Sequence, residues 1–292
     1  MKIRSKRGLL DKRRTVWERL FFGAMFLILL VWSVIVVSML IWALISSLKT
    51  NLEYVNRPLA FPETLHFENF LVAIEKFTHN GVGFIGMLYN SVWQVVGSVL
   101  ISTVMHIITG YVFAQYEFKG KGILFSIVVF VMIIPIYGSF AANYKLTYDL
   151  GLNDSYLYLI KSFGGLGTNM LLTYGYFKGV PKELREAVYV DGGSDYGAFF
   201  KVYLPLARNI FTALFLLGFI GSWNDYETPL LYFDKMPNLA LGLYNFQQEI
   251  QYVANNPAYF AGTLIVMLPV VLLFIFGSDK IMGQLYSGGL KG

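Results

Sequence analysis

The chain has 292 residues, 56% hydrophobic and 14% charged, with a formal net charge of +5 and a mean hydropathy of +0.55. Soluble domains carry about 25% charged residues, so this composition belongs to a membrane protein. The chain has no cysteine, which excludes disulfides, thiolate catalysis and cysteine-ligated metals; His66, His79 and His106 lack metal-ligand spacing.

Residues 1–19 form a basic N-terminal segment. The apolar run 20–48 exceeds the ~20 residues that cross a hydrocarbon core of about 30 Å. It is too long for a signal-peptide core of about 7–15 residues and has no small-residue cleavage site after it, so it reads as an uncleaved first helix. Residues 49–86 are expected to connect it, outside the membrane, to a core at 87–280. The second span is predicted at 88–114 and the third at 123–144. Pro135 is expected to kink the third and free a carbonyl, which is tolerated where a segment lines a cavity. The fourth, 156–177, is interrupted by Gly164, Gly165 and Gly167. The fifth runs over 210–223 and the sixth over 259–276, separated by an outer loop at 226–257 and followed by a tail at 281–292. Lipid leaves backbone polar groups no partner but their own helix, so the predicted fold class is all-α with six transmembrane helices.

Orientation follows the basic residues near span ends. Lys2, Arg4, Lys6, Arg7, Lys12, Arg13, Arg14 and Arg19 precede the first span. Lys119 and Lys121 lie between spans two and three, and Lys178, Lys182, Arg185, Lys201 and Arg208 between four and five. With Lys280 and Lys291, 17 of the 23 basic residues fall on one side. That side is the cytoplasm, and an even number of spans places both termini there. The net charge is thus a membrane asymmetry, and no nucleic-acid partner is needed to explain it.

The cytoplasmic loop 179–205 carries the most information. Pro181 suits the first position of a helix, where its missing N–H costs nothing, and Glu183 in the first turn favours the helix dipole. Leu184, Ala187, Val188 and Val190–Asp191 follow at helical spacing. Gly192 and Gly193 stop that helix, and Ser194 or Asp195 caps a second one. Phe199, Phe200, Val202 and Leu204 give the second helix an apolar face, and Pro205 is expected to end it. The pattern predicts a helix–glycine–helix knob, suited to docking on a partner or to lying on lipid headgroups.

This segment resembles the EAA loop of ATP-binding-cassette (ABC) importer permeases: Glu-Ala-Ala, three residues, Gly, nine residues, Ile-x-Leu-Pro. Here Glu186-Ala187-Val188 is followed by three residues, Gly192, nine residues and Val202-Tyr203-Leu204-Pro205. Val188 and Val202 depart from the pattern and conserve its polarity. Ile134-Pro135, Gly151-Leu152-Asn153-Asp154-Ser155, Trp223-Asn224-Asp225-Tyr226 and the tail Gly288-Gly289-Leu290-Lys291-Gly292 resemble, in the same order, the carbohydrate branch of that family, the maltose-type inner permease. The resemblance implies the type I ABC importer permease fold. It also implies a second permease subunit, an ATPase homodimer that binds ATP and Mg, and an extracytoplasmic solute-binding protein that delivers a sugar. It makes 179–205 the coupling segment, with Glu186, Ala187, Val188, Asp191, Gly192, Val202, Leu204, Pro205, Gly289 and Lys291 at the ATPase contact.

No G-x-x-x-x-G-K-S/T phosphate cradle is present, so ATP hydrolysis is expected in a separate subunit and no cofactor on this chain. Gly81-x-Gly83-x-x-Gly86 does not follow a strand and reads as a hinge rather than a dinucleotide site. His106 within span two reads as a neutral histidine bonded to a neighbouring helix, ahead of a functional ionisable group. Asn90, Gln94, Asn143 and Asn169 are polar side chains in or near spans. With Pro135, Tyr137 and Trp223 they are candidates for a sugar path, weighed against helix–helix contacts and the interfacial aromatic belt. A secondary transporter or channel without ATPase coupling is the alternative; it would usually show more ionisable residues along its spans.

Overall fold

A computed structural model describes residues 16–133, 139–253 and 255–288. All the regular structure among the described residues is helical, apart from one isolated bridge between His79 and Val82. Residues 1–15, Pro135, Tyr137, Gly289 and Lys291, for which roles were expected, lie outside the described residues.

Helix α1, Val16–Ser47, is 32 residues long, about 48 Å at ~1.5 Å per residue. Most of its apolar side chains are exposed. Its C-terminal end is fixed by polar contacts. The buried Lys49 ammonium donates to Arg57 O and Pro58 O at 2.9 and 3.0 Å, and Asn69 Nδ2 donates to Ser47 O and Lys49 O. The connection expected at 49–86 holds two short helices, α2 (Asn51–Asn56) and α3 (Glu68–Lys76). A capping box between Thr50 and Glu53 starts α2, satisfying two helix-end donors.

Helix α4, Phe84–Gln115, is the second predicted span, again 32 residues. The third divides into α5 (Lys121–Ile133) and α6 (Ser139–Asp149). The fourth departs from the single helix expected over 156–177. Tyr156–Phe163 is a 3-10 turn, started by Ser155 Oγ accepting from Leu157 N–H at 3.1 Å, and helix α7 begins only at Thr168 and ends at Lys178. The glycine-rich link between them explains the break: Gly167 has φ +144°, which ordinary residues avoid.

After α7 come α8 (Glu183–Val190), α9 (Asp195–Ala198), a π-turn at Phe199–Tyr203, α10 (Leu204–Leu206) and α11 (Arg208–Trp223). Then follow α12 (Glu227–Tyr232), α13 (Leu239–Val253) and α14 (Asn256–Gly288), which carries Pro269 in its interior. Three helices, α1, α4 and the apolar part of α14, are long and apolar enough to cross a membrane. A fourth counts if Asp195–Leu206 and Arg208–Trp223, bent by 67°, form one span.

Helix α4 is the hub. Its N-terminal half, the outer one in the orientation expected from the basic residues, packs Met87, Val95 and Val99 against Phe77, Phe219, Trp223, Leu239 and Val266. Its C-terminal half, the inner one in that orientation, packs Ile107, Tyr111 and Ala114 against Phe177, Tyr203 and Ala207. In lipid, helix association relies on close backbone approach and interhelical hydrogen bonds rather than on expelling water. Gly110 shows this against α7: a Cβ there would lie 2.0 Å from Thr173 Oγ1 and 2.8 Å from Tyr174 N. The same Thr173 Oγ1 donates to His106 O at 2.7 Å.

Candidate functional site

The loop 179–205 folds as two short helices around a glycine turn. Lys182 is the N-cap of α8, so Pro181 precedes the helix and does not take its first position as expected. Gly192 has φ +78°, the left-handed conformation that glycine adopts without strain. Ser194 caps α9, its Oγ accepting from Gly197 N–H at 3.3 Å. Pro205 does not terminate the second element. Leu204 N–H reaches back five residues to Phe199 O, and the helical path continues through Pro205 to Leu206. The wider π-turn lets the chain absorb a residue whose ring and missing N–H would otherwise break an α-helix. The sharp bend falls instead at Ala207, before α11.

The knob is anchored to the inner end of α4. The buried Gln115 donates through Nε2 to Phe177 O at 2.7 Å and Val180 O at 3.1 Å, and its Oε1 accepts from Tyr203 OH at 3.1 Å. Arg185 Nη1 donates to Gln115 O at 2.6 Å, and the guanidinium lies 4.6 Å from the centre of the Tyr116 ring, a cation–π contact. Asp195 Oδ1 accepts from Tyr116 OH at 2.5 Å and from Tyr189 OH. The hydroxyls of Tyr116 and Tyr189 hold the Asp195 carboxyl below the ordinary carboxylate range. Burial, and then the bond to Asp195, push the Tyr116 hydroxyl up. Gln115, Tyr116, Arg185, Tyr189, Asp195 and Tyr203 therefore tie α8 and α9 to α4. Sequence reading missed this set, although Gln115-Tyr116 directly after a long apolar run was a visible signal.

Of the expected contact residues, Glu186, Ala187, Asp191, Gly192 and Pro205 are exposed, and Val188, Val202 and Leu204 are half-buried. The tip also presents the apolar side chains of Val190 and Tyr196, 86% and 79% exposed among the described residues.

At the outer end of α4, polar side chains hold the segment 234–239. Asn90 Nδ2 donates to Pro237 O at 3.0 Å, and its Oδ1 accepts from Trp93 Nε1 at 3.1 Å. Gln94 Nε2 donates to Met236 O at 2.8 Å, and Ser91 Oγ accepts from Leu239 N–H at 2.8 Å. Trp223 is buried, and its Nε1 donates to Val266 O at 2.9 Å. Asn143 and Asn169 are exposed on α6 and α7. Asn90, Gln94 and Trp223 thus surround the outer core, whereas Asn143 and Asn169 stand apart from it. His106 Nδ1 is 2.5 Å from Ser102 O, one helical turn away.

A helical membrane bundle with a helix–glycine–helix knob is the build of a transport subunit. Residues 106–278 match the family described as binding-protein-dependent transport system inner membrane component, and the chain belongs to that family. It is a membrane permease component of an ABC importer. It is 27% identical over 278 residues to the diacetylchitobiose uptake system permease protein NgcG of Streptomyces coelicolor, covering 94% of this chain and 90% of that one. It is 31% identical over 233 residues to the arabinooligosaccharides transport system permease protein AraQ of Halalkalibacterium halodurans, covering 79% and 81%. A chain in the crystal structure of a bacterial ABC transporter importing the acidic polysaccharide alginate shares the fold, with a TM-score of 0.73 at 20% identity, over 91% of this chain and 98% of that one.

Proposed function

We propose that this chain imports a sugar or oligosaccharide as one of two permease subunits. Solute arrives from an extracytoplasmic binding protein, and the energy comes from an ATPase homodimer that binds ATP and Mg. In this reading the chain crosses the membrane six times with both termini cytoplasmic. Residues 1–19 and 281–292 lie in the cytosol, 20–48 form the first span, 49–86 lie outside, and 87–280 form the core. The segment 179–205 docks on the ATPase, and Gly289 and Lys291 reach toward it. The solute class comes from the relatives, several of which are named for oligosaccharide uptake.

One observation carries the coupling role. The exposed tip residues Val190 and Tyr196 sit on two short helices that Arg185, Tyr203 and Asp195 bind to the end of α4. A push on the tip therefore moves a helix of about 48 Å. Driving a two-state transporter from 1:99 to 99:1 takes about 5.5 kcal/mol of differential interaction, and that energy enters through this contact.

The chain has no cysteine, so single cysteines at Val190 and Tyr196 test the reading cleanly. Cross-linking from both to an ATPase subunit in native membranes is the expected result. Labelling of both by a membrane-impermeant reagent from outside the cell would defeat the assignment.

A further inference from the structure

We infer that the cavity between α4, the 3-10 turn, α11 and α12 is a binding subsite for one ring of a neutral saccharide. The inference rests on the solute reading above and adds a site and a charge preference to it.

The cavity measures about 210 Å³ and is lined by Trp93, Gln94, Tyr158, Ser222, Asp225 and Thr228 among others. Pockets for drug-sized ligands span ~300–1,000 Å³, so this space suits a single ring rather than a chain. Its composition is that of a sugar site, with flat apolar surfaces and a few fixed polar groups. The aromatic walls are braced from behind. Trp93 lies 4.7 Å from Tyr156 and 5.8 Å from Phe233, and Tyr158 meets Phe233 edge-on at 4.8 Å.

The polar groups that α11 and the link to α12 turn to the cavity differ from those on α4. Asn90 is bonded on both sides of its amide, to Pro237 O and Trp93 Nε1. By contrast, Ser222 Oγ makes no hydrogen bond among the described residues. Asp225 Oδ1 accepts only the capping N–H of Thr228 at 3.0 Å. No Lys, Arg or His lines the cavity, and no described cation lies within ion-pairing distance of Asp225. A carboxylate accepts strong hydrogen bonds from sugar hydroxyls. The same unpaired charge repels a uronate, and nothing in the lining offsets that repulsion. Of the polar path candidates read from the sequence, Gln94 alone lines this space.

The test uses the whole transporter, purified with its partner permease and ATPase, and photolabelled with diazirine derivatives of cellobiose, maltose and diacetylchitobiose. The label is expected on the peptides holding Trp93–Ser98 and Asp225–Phe233. Unlabelled neutral disaccharide is expected to compete at least tenfold better than the corresponding uronate. Asp225→Asn keeps a side chain that caps α12 and is expected to abolish that discrimination. Ser98→Leu, which fills the cavity from its α4 wall, is expected to cut labelling at least tenfold while the complex still assembles. Labelling that maps elsewhere, or that neither substitution changes, overturns the subsite. If reconstituted vesicles then still show ATP-driven uptake of neutral disaccharides, the solute reading stands and only the site falls. Absence of any saccharide uptake defeats both.

Discussion

The two ends of α4 hold their neighbours by the same bond and to different purpose. At the outer end Asn90 and Gln94 donate to the carbonyls of Pro237 and Met236. At the inner end Gln115 donates to those of Phe177 and Val180. At the outer end the amides capture a non-helical segment, and at the inner end one amide caps the last turn of α7 and the residues just after it. Beyond that first layer the ends diverge. The outer clasp is enclosed by Trp93, Phe233 and Leu239 and leads to a buried core. The inner clasp opens through Arg185, Tyr116 and Asp195 to a knob with exposed apolar residues. One end fastens the chain into its own core, and the other fastens it to a knob that, in the proposed reading, an ATPase subunit grips.

The largest expected effect comes from breaking what both ends share. Gly110→Leu drives a side chain into Thr173 and Tyr174 of α7, and loss of the assembled complex on size-exclusion chromatography is expected. Next, Gln115→Leu takes from Val180 O its side-chain donor, and from Phe177 O and Tyr203 OH one partner each, leaving them Val180 N–H and Pro181 O. An unsatisfied buried group costs about 1–3 kcal/mol, so a lower melting temperature and less uptake per ATP hydrolysed are expected. Asn90→Leu, which orphans the Pro237 carbonyl and the Trp93 N–H, is expected to lower uptake without lowering its ratio to ATP hydrolysed. Equal ratios in the two variants would erase the distinction between the ends.

A smaller effect is expected from Gly192→Val. A Cβ there meets nothing within 4 Å, so the cost is conformational, about 1–2 kcal/mol for the left-handed backbone. Reduced uptake with normal ATPase co-purification is the expected outcome; unchanged uptake would show that the knob tolerates another turn.

The smallest concerns pH. The folded pKa of Asp195 lies below its unfolded value. Its contribution is therefore complete above the unfolded carboxylate pKa and fades as pH falls through the lower folded one. The protection factors of amides in α8 and α9 are expected to be flat around neutral pH and to fall only in acid, and Asp195→Asn is expected to remove that fall.

The helical class and the knob were legible in the sequence, for identifiable reasons. Long apolar runs have one backbone solution in lipid, and Gly192 and Ser194 act through local backbone chemistry that a sequence displays directly. The clasp at Gln115 was not legible because its partners are carbonyls some 60 residues away, and a carbonyl has no residue type. Pro205 was read as a stop since proline breaks an α-helix, but the π-turn before it changes the bonding. Trp223 and Asn90 looked like path residues by polarity and ring; what hydrogen bonds they already make depends on α13 and α14, which composition does not reveal.

The 3-10 turn has a consequence for what can surround it. Trp93 lies against Tyr156 with the rings tilted, and Met105 and Thr109 lie against Gly165. Nine steps of one strand thus keep abreast of at least a dozen of α4, which advances ~1.5 Å per residue. So extended a thread, closer to the ~2.0 Å rise of a 3-10 helix, leaves peptide groups that its own coil does not saturate. Thr109 Oγ1 quenches one, donating to Gly165 O at 2.5 Å. Hydrocarbon tails cannot quench the others, so the peptide groups of the glycine-rich link 164–167 need water or polypeptide beside them.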